Sequence, residues 1–232
     1  MKLLALDTSS DACSVALQLG DQISEQHVVQ AKEHTNSLIP MIQGLLHDAG
    51  VQLQDLDAIV LGNGPGSFIG MRIAASVAQG LAFGSGLEIV PVSSMAAIAA
   101  EVMDKHSASE VIVAQDARMN EAYLGIYRRD DDGLPVALTD ELLQPIEKIN
   151  GLSVSTAAER MAAGQAWQKY PALLEINHAA LSKVIDVHYP RARHLLALGA
   201  RGFEYGEAVE ADKLAPAYIR TKVAEIPQKT IG

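Results

Sequence analysis

The chain has 232 residues, 49% of them hydrophobic and 4% aromatic, and a formal net charge of −10. That length holds one large or two small domains, and that hydrophobicity supports a sizeable core and argues against disorder. The acidic balance and scarce rings argue against nucleic acid as the sole direct partner, because phosphates need basic surface and bases need stacking platforms.

Lys2 to Leu6 is a short apolar run ending at Asp7, followed by a polar turn from Thr8 to Ala12. Such a start has no signal-peptide pattern. Cys13 to Leu19 alternates as a strand, with Val15, Leu17 and Leu19 on one face. Gly20-Asp21 reads as a hairpin turn and Gln22 to Val29 as the returning strand. Cys13 is the only cysteine, so it reads as a small core residue of a protein in a reducing, cytoplasmic setting.

A helix is expected from His34 to Ala49, with Leu38, Ile39, Ile42, Leu45, Leu46 and Ala49 on one face and Met41 off it. Pro40 is awkward there because it removes one helix hydrogen bond. His34 reads as a cap or surface residue. Ala58 to Leu61 follows as a buried strand, and then comes Gly62-Asn63-Gly64-Pro65-Gly66-Ser67-Phe68-Ile69-Gly70-Met71-Arg72. A glycine-rich loop opening a helix suits an anion, since free N–H groups and the positive dipole end point into it. It equally suits a tight turn without ligand.

The helix behind that loop, from Ile69 to Gly86, has Arg72 as its only charge. In steps of four, Gly70, Ala74, Ala78 and Ala82 make one small ridge and Ser76, Gly80 and Gly84 another; Ile69, Ile73, Val77 and Leu81 make a bulky one. A helix this apolar is either core or interface, and small ridges let a neighbouring helix approach closely. It is too short and glycine-rich for a membrane span. Glu88 to Val92 is a strand, and Ser93-Ser94 caps a helix through Val102. Three strands in a meander and then alternating helix and strand describe an α/β fold with a mixed sheet.

A second region starts near Ser107. Val111 to Gln115 and Glu121 to Tyr127 read as strands, Leu142 to Asn150 as a helix, and Val184 to Val187 as a strand. Ala157 to Ala163 fits a helix or a strand. Pro190 suits the first turn of a helix running to about Tyr205. Asp116, Arg118 and Glu121 form a polar cluster, read as a salt bridge between the two regions or as a contact for a partner or an RNA. Residues 190–232 are mildly basic, and Arg191, Arg193, Arg201, Arg220 and Lys222 read as a solvated helix face.

Asp7-Thr8-Ser9-Ser10-Asp11-Ala12-Cys13-Ser14-Val15-Ala16-Leu17 resembles the first phosphate loop of the superfamily of acetate and sugar kinases, heat-shock chaperone ATPases and actin. Together with Glu33-His34-Thr35, the Gly64 to Arg72 loop and Asp116-Ala117-Arg118, it resembles one family in particular, the bacterial TsaB (YeaZ) family. The resemblance implies an actin-like ASKHA (ribonuclease H-like) fold. Residues 1–106 would form a complete N-terminal lobe and 107–232 a reduced C-terminal lobe, with the last helical segment packing back on the first.

It also implies a non-catalytic subunit that works with a TsaD-like paralog and a TsaE-like ATPase. That machinery transfers a threonylcarbamoyl group to adenosine 37 of tRNAs reading codons that begin with A. TsaD carries two metal-binding histidines in a His-x-x-x-His helix; Ser94 and Ile98 occupy those positions here. Isoleucine has no ligating atom, and a lone serine is a poor ligand. His27, His34, His47, His106, His178, His188 and His194 form no metal-binding motif. No cofactor is therefore expected, and Asp7, Thr8, Ser9, Gly64 and Gly66 are expected to be vestigial phosphate loops.

The pairing surface is expected on Leu38, Met41, Ile42 and Leu45 of the first helix and on Met71, Ala74, Ala75, Ala78, Leu81 and Ala82 of the second. A charged residue at Ala78 should then break pairing while sparing the fold. Alone, the chain is expected to form a homodimer, and tRNA is met only through the complex. The alternatives are a small phosphotransferase using Asp7 and the glycine loop, and a peptidase, which lacks a metal or nucleophile arrangement.

Overall fold

The computed structural model describes residues 1–29, 33–149, 152 and 160–219. Its first sheet is built from β1 (Lys2–Asp7), β2 (Ala12–Leu19), β3 (Gln22–Val29), β4 (Ala58–Gly62) and β5 (Glu88–Val92), in the order β3-β2-β1-β4-β5. β1, β2 and β3 form an antiparallel meander, and β4 and β5 join in parallel. Parallel joins need crossovers, here α1 (His34–Ala49) and α2 (Phe68–Ser85).

Alternation along the strands divides two cores. Leu4, Leu6, Ile59 and Leu61 pack with α1 and α2, whereas Leu3, Ala5 and Val60 face the opposite side. On that side lie α3 (Ser94–Lys105) and α6 (Ala192–Glu204), whose Leu195 and Leu198 join Met95, Ile98 and Val102.

The second sheet contains β6 (Glu110–Asp116), β7 (Glu121–Arg129), β8 (Pro135–Ala137), β9 (Leu142–Pro145), β10 (Arg160–Ala163) and β11 (Lys183–Val184). Its order, β11-β10-β6-β7-β8 with β9 also on β7, repeats the scheme of the first sheet. The copy is shortened: β10 has 4 residues and β11 has 2, against 5 each for β4 and β5. The short helices α4 (Gln165–Lys169) and α5 (Pro171–Asn177) cover its outer face through Trp167 and Leu173. Glu110, buried in the sheet, holds Arg160 at 2.8 Å and Arg128 at 2.9 Å and so ties β6 to both neighbours. This is an actin-like α/β fold with a reduced second lobe.

Several sequence expectations need correction. Leu142 to Pro145 is a strand, because its backbone pairs with Glu121 to Leu124, and only Ile146–Lys148 is a single 3₁₀ turn. Asn150 lies outside the described residues. In the undecided segment, residues 160–163 form β10, and the rest lies outside the described residues. The strand expected to reach Val187 stops at Val184.

Pro190 precedes α6 instead of opening it. Arg191 stays extended at the helix entrance and binds Glu25 at 2.5 Å. Arg191 is therefore no solvated residue, and neither is Arg201, which holds Asp130 at 2.5 Å; Arg220 and Lys222 lie outside the described residues. In α1, Met41 is buried and Ile39 is 48% exposed, the reverse of the expectation. Leu38, Met41, Ile42 and Leu45 follow the i, i+3, i+4, i+7 stripe, and Ile39 falls off it. His34 is buried and supplies no cap bond. Among the described residues, no helix is long and apolar enough to cross a membrane.

Candidate functional site: closed phosphate loops and an exposed helix face

The end of β1 brings Asp7, Thr8 and Ser9 against the loop that follows β4. Asp7 is buried, and each of its oxygens is engaged. Oδ1 accepts from the Ser9 backbone N–H and hydroxyl, both at 2.8 Å, and Oδ2 accepts from the Ser94 hydroxyl at 2.5 Å. Burial drives its pKa up to about 6 against the pull of these hydrogen bonds.

Three N–H donors of the glycine loop are used inside the protein. Gly64 N–H donates to Ser94 Oγ at 3.0 Å, Ser67 N–H to the Ser9 carbonyl at 2.6 Å, and Gly70 N–H to Ser67 Oγ at 3.3 Å. Thr8 Oγ1 donates to the Gly70 carbonyl at 2.7 Å. The two loops touch so closely that a Cβ at Gly66 would lie 2.1 Å from the Ser9 carbonyl oxygen. At Gly70 it would lie 1.9 Å from that of Thr8. The expected phosphate-loop residues are thus brought together against one another, and Ser9 and Gly66 also line the cleft between the lobes, a cavity of about 350 Å³.

Ser94 and Ile98, the two residues set against the histidine positions above, both lie inside the protein. Ser94 is buried and bonded to Asp7, and Ile98 is wholly buried in the core between the lobes. Ser93 caps α3 through Met95 N–H and Ala96 N–H, as its position suggests. Among the described residues there is no group of three or more His, Cys, Asp or Glu placed to hold a metal.

At the end of β6 the Asp116 ion pair lies within the second lobe and not between the two regions. Asp116 binds Lys169, the last residue of α4, at 2.5 Å and the hydroxyl of the following Tyr170 at 2.8 Å, both in the same lobe. These bonds hold its pKa below the usual carboxylate range, although burial opposes them. Arg118 instead stands exposed at the mouth of the cleft between the lobes, in a run of three left-handed residues with Met119 and Asn120.

One network was not legible in the sequence. Ser93 at the cap of α3 and Tyr127 on β7 both donate to Glu141 Oε1, so a carboxylate from the second lobe is clasped to the entrance of α3. Burial raises the pKa of Glu141 and, with the carboxylate beside it, that of Tyr127.

The helix face needs the largest revision. Leu38, Met41, Ile42, Leu45, Met71, Ala74, Ala75, Ala78 and Ala82 are buried in the chain's own core, and Leu81 is half-buried against it. Side chains already packed inside the chain are not available to a partner. The ridge Gly70, Ala74, Ala78 and Ala82 serves the close approach of α2 to its own sheet.

The outward ridges are the other two. Ile69 is 70% and Phe83 86% exposed, Ser76, Gly80 and Gly84 are exposed, and Ile73 and Val77 are half-buried. With Ile39 and Leu38 of α1, Ile69, Ile73 and Val77 border an apolar groove of about 400 Å³. A Cβ at Gly80 or Gly84 would meet no atom within 4 Å. The chain's own packing therefore does not require glycine at either place, although each weakens the helix by about 1 kcal/mol relative to alanine.

Two lobes of repeated strand order, with phosphate loops at their junction, define this chain as a member of the actin-like superfamily. The profile of the family described as TsaD, tRNA N6-adenosine threonylcarbamoyltransferase, matches residues 22–228. The tRNA threonylcarbamoyladenosine biosynthesis protein TsaB of Escherichia coli K12 is 34% identical over 97% of this chain and 96% of its own length. The protein of the same name from Haemophilus influenzae is also 34% identical, over 96% and 95%. Among solved structures, YeaZ from Pseudomonas aeruginosa superimposes with a TM-score of 0.83 at 35% identity, covering 94% of this chain and 99% of that one. Another, an uncharacterized protein with similarity to peptidase YEAZ, gives 0.85 at 35% identity over the same shares. The chain belongs to the TsaB (YeaZ) family.

Proposed function

We propose that this chain is a non-catalytic subunit in the biosynthesis of threonylcarbamoyladenosine in tRNA. It pairs with a TsaD-like paralog through the outward face of α1 and α2. A TsaE-like ATPase docks across the pair, tRNA is met only through the complex, and the lone chain covers the same face by forming a homodimer. The names of the relatives support the pathway.

The absence of chemistry is supported by the closed loops. A phosphotransferase needs free N–H donors and a carboxylate facing a ligand, whereas here the Gly64, Ser67 and Gly70 N–H groups and both oxygens of Asp7 are bonded to the protein itself. The observation that carries the pairing is the pair Gly80 and Gly84. They weaken the helix and serve no internal contact, but they leave room for a second backbone beside exposed Ile69 and Phe83.

Arg in place of Ser76 tests this reading. The variant should stay folded and lose the paralog, as read by size-exclusion chromatography and thermal unfolding. Normal pairing by a folded Ser76→Arg chain would sink the assignment of this face.

A further inference from the structure

Arg72 on the docking groove is bonded to Tyr218, a residue that lines the cleft between the lobes. After α6 the chain runs along β5, where Val209 and Ile89 exchange backbone bonds at 2.8 and 2.9 Å. It then crosses α2, where Gln79 Nε2 donates to the Ala211 carbonyl at 2.9 Å and Leu214 is buried. The last bonds are longer: Asn63 Nδ2 to the Ala215 carbonyl at 3.1 Å and Ala217 N–H to the Asn63 carbonyl at 3.3 Å. Beyond them, Tyr218 is 45% exposed and is held by Arg72, whose Nε donates to its hydroxyl at 2.9 Å.

The Arg72 guanidinium lies 3.7 Å over the Phe68 ring, and the Phe68 and Tyr218 rings are 5.5 Å apart. Ala217, Tyr218 and Ile219 line the interlobe cleft, as Arg118 does. On its other side Arg72 borders the groove with Ile39, Ile69 and Ile73. A single exposed cation thus touches both the end of the C-terminal segment and the docking face.

Exposed cation–π contacts and hydrogen bonds are weak because water competes for the charge. A partner seated in the groove removes water from the outer side of Arg72. The guanidinium keeps its charge, so its contacts with Phe68 and Tyr218 strengthen as the local dielectric falls. We propose that docking fastens residues 215–219 through Arg72, so that partner binding on one face fixes a wall of the cleft on the other. This rests on the docking reading given above.

Hydrogen–deuterium exchange of the segment spanning residues 214–219 tests it, in the full chain alone and with the TsaD-like paralog, with pairing confirmed separately by light scattering. Exchange should slow about tenfold in the complex, the gain expected when an exposed cation–π contact is desolvated. Tyr218→Ala, which removes both the ring and the hydroxyl that Arg72 holds, should still pair but lose most of that slowing. Unchanged or faster exchange in a confirmed complex would overturn the coupling while leaving the docking reading intact, and so would full slowing in the Tyr218→Ala variant. Failure of the unsubstituted chain to pair would overturn the docking reading, and the coupling with it.

Discussion

The Ser94 hydroxyl donates to the Asp7 carboxylate at 2.5 Å, across 87 positions of the chain. The same serine oxygen accepts the Gly64 N–H, and the Ser94 N–H returns to the Gly64 carbonyl at 2.8 Å. Ser94 thus joins the Asp7 loop and the glycine loop to the start of α3 as a structural clasp.

Ser94→Ala should therefore act on stability. It leaves the Gly64 N–H without its acceptor and removes one donor from a buried carboxylate, which costs about 1–3 kcal/mol. Urea unfolding at neutral pH reads this directly, and a loss near zero would mean that the clasp is idle.

Asp7 makes stability depend on pH with a definite sign. Its folded pKa, about 6, lies above the ordinary 3.8, so the fold favours the protonated acid. That contribution is fully present below about pH 3.8 and is lost as pH rises through about 6, a swing of about 3 kcal/mol. His27 and His194 act in the opposite sense. Burial lowers their pKa values below 6.5, so their contribution is present above pH 6.5 and lost as pH falls. Measured as the difference from Asp7→Asn, the histidine effects cancel. The unsubstituted chain should lose ground steadily from pH 4 to 6, and a flat difference would contradict the burial argument.

Gly80→Ala and Ala78→Glu should separate pairing from folding. Alanine at Gly80 meets no atom of the chain and should raise stability by up to about 1 kcal/mol while weakening association with the paralog. Glutamate at Ala78 enters a wholly buried site and should cost several kcal/mol of folding free energy before any partner is added. Thermal unfolding with and without the paralog distinguishes the two; a folded Ala78→Glu chain of ordinary stability would be inconsistent with the packing described.

Cys13 should resist thiol reagents in the folded chain. It is buried, and burial together with the nearby Asp7 charge pushes its pKa up to about 11, so little reactive thiolate is present near pH 8. Labelling should proceed at the unfolding rate, and rapid labelling without denaturant would show that the sheet opens there.

The first sheet was legible because its cues are local: alternation from Cys13 to Leu19, the Gly20-Asp21 turn and apolar runs bounded by loops. β9 was not, since Leu142 to Pro145 are defined by pairing with β7, a contact no local pattern reveals. The phosphate loops were legible as residues, but their closure depends on Ser94, 87 positions from Asp7. The orientation of α2 was misread for a related reason. Arg72 is its only charge, so no polar face marks the outside, and two small ridges compete for the sheet. Only packing shows that Ala74, Ala78 and Ala82 turn inward while Gly80 and Gly84 turn out.

Light scattering of this chain mixed with the TsaD-like subunit of the same organism tests the central claim most directly. A one-to-one complex should replace the separate species, and Ser76→Arg should abolish it. Two species that keep their own masses at every mixing ratio would contradict a pairing role for the α1–α2 face.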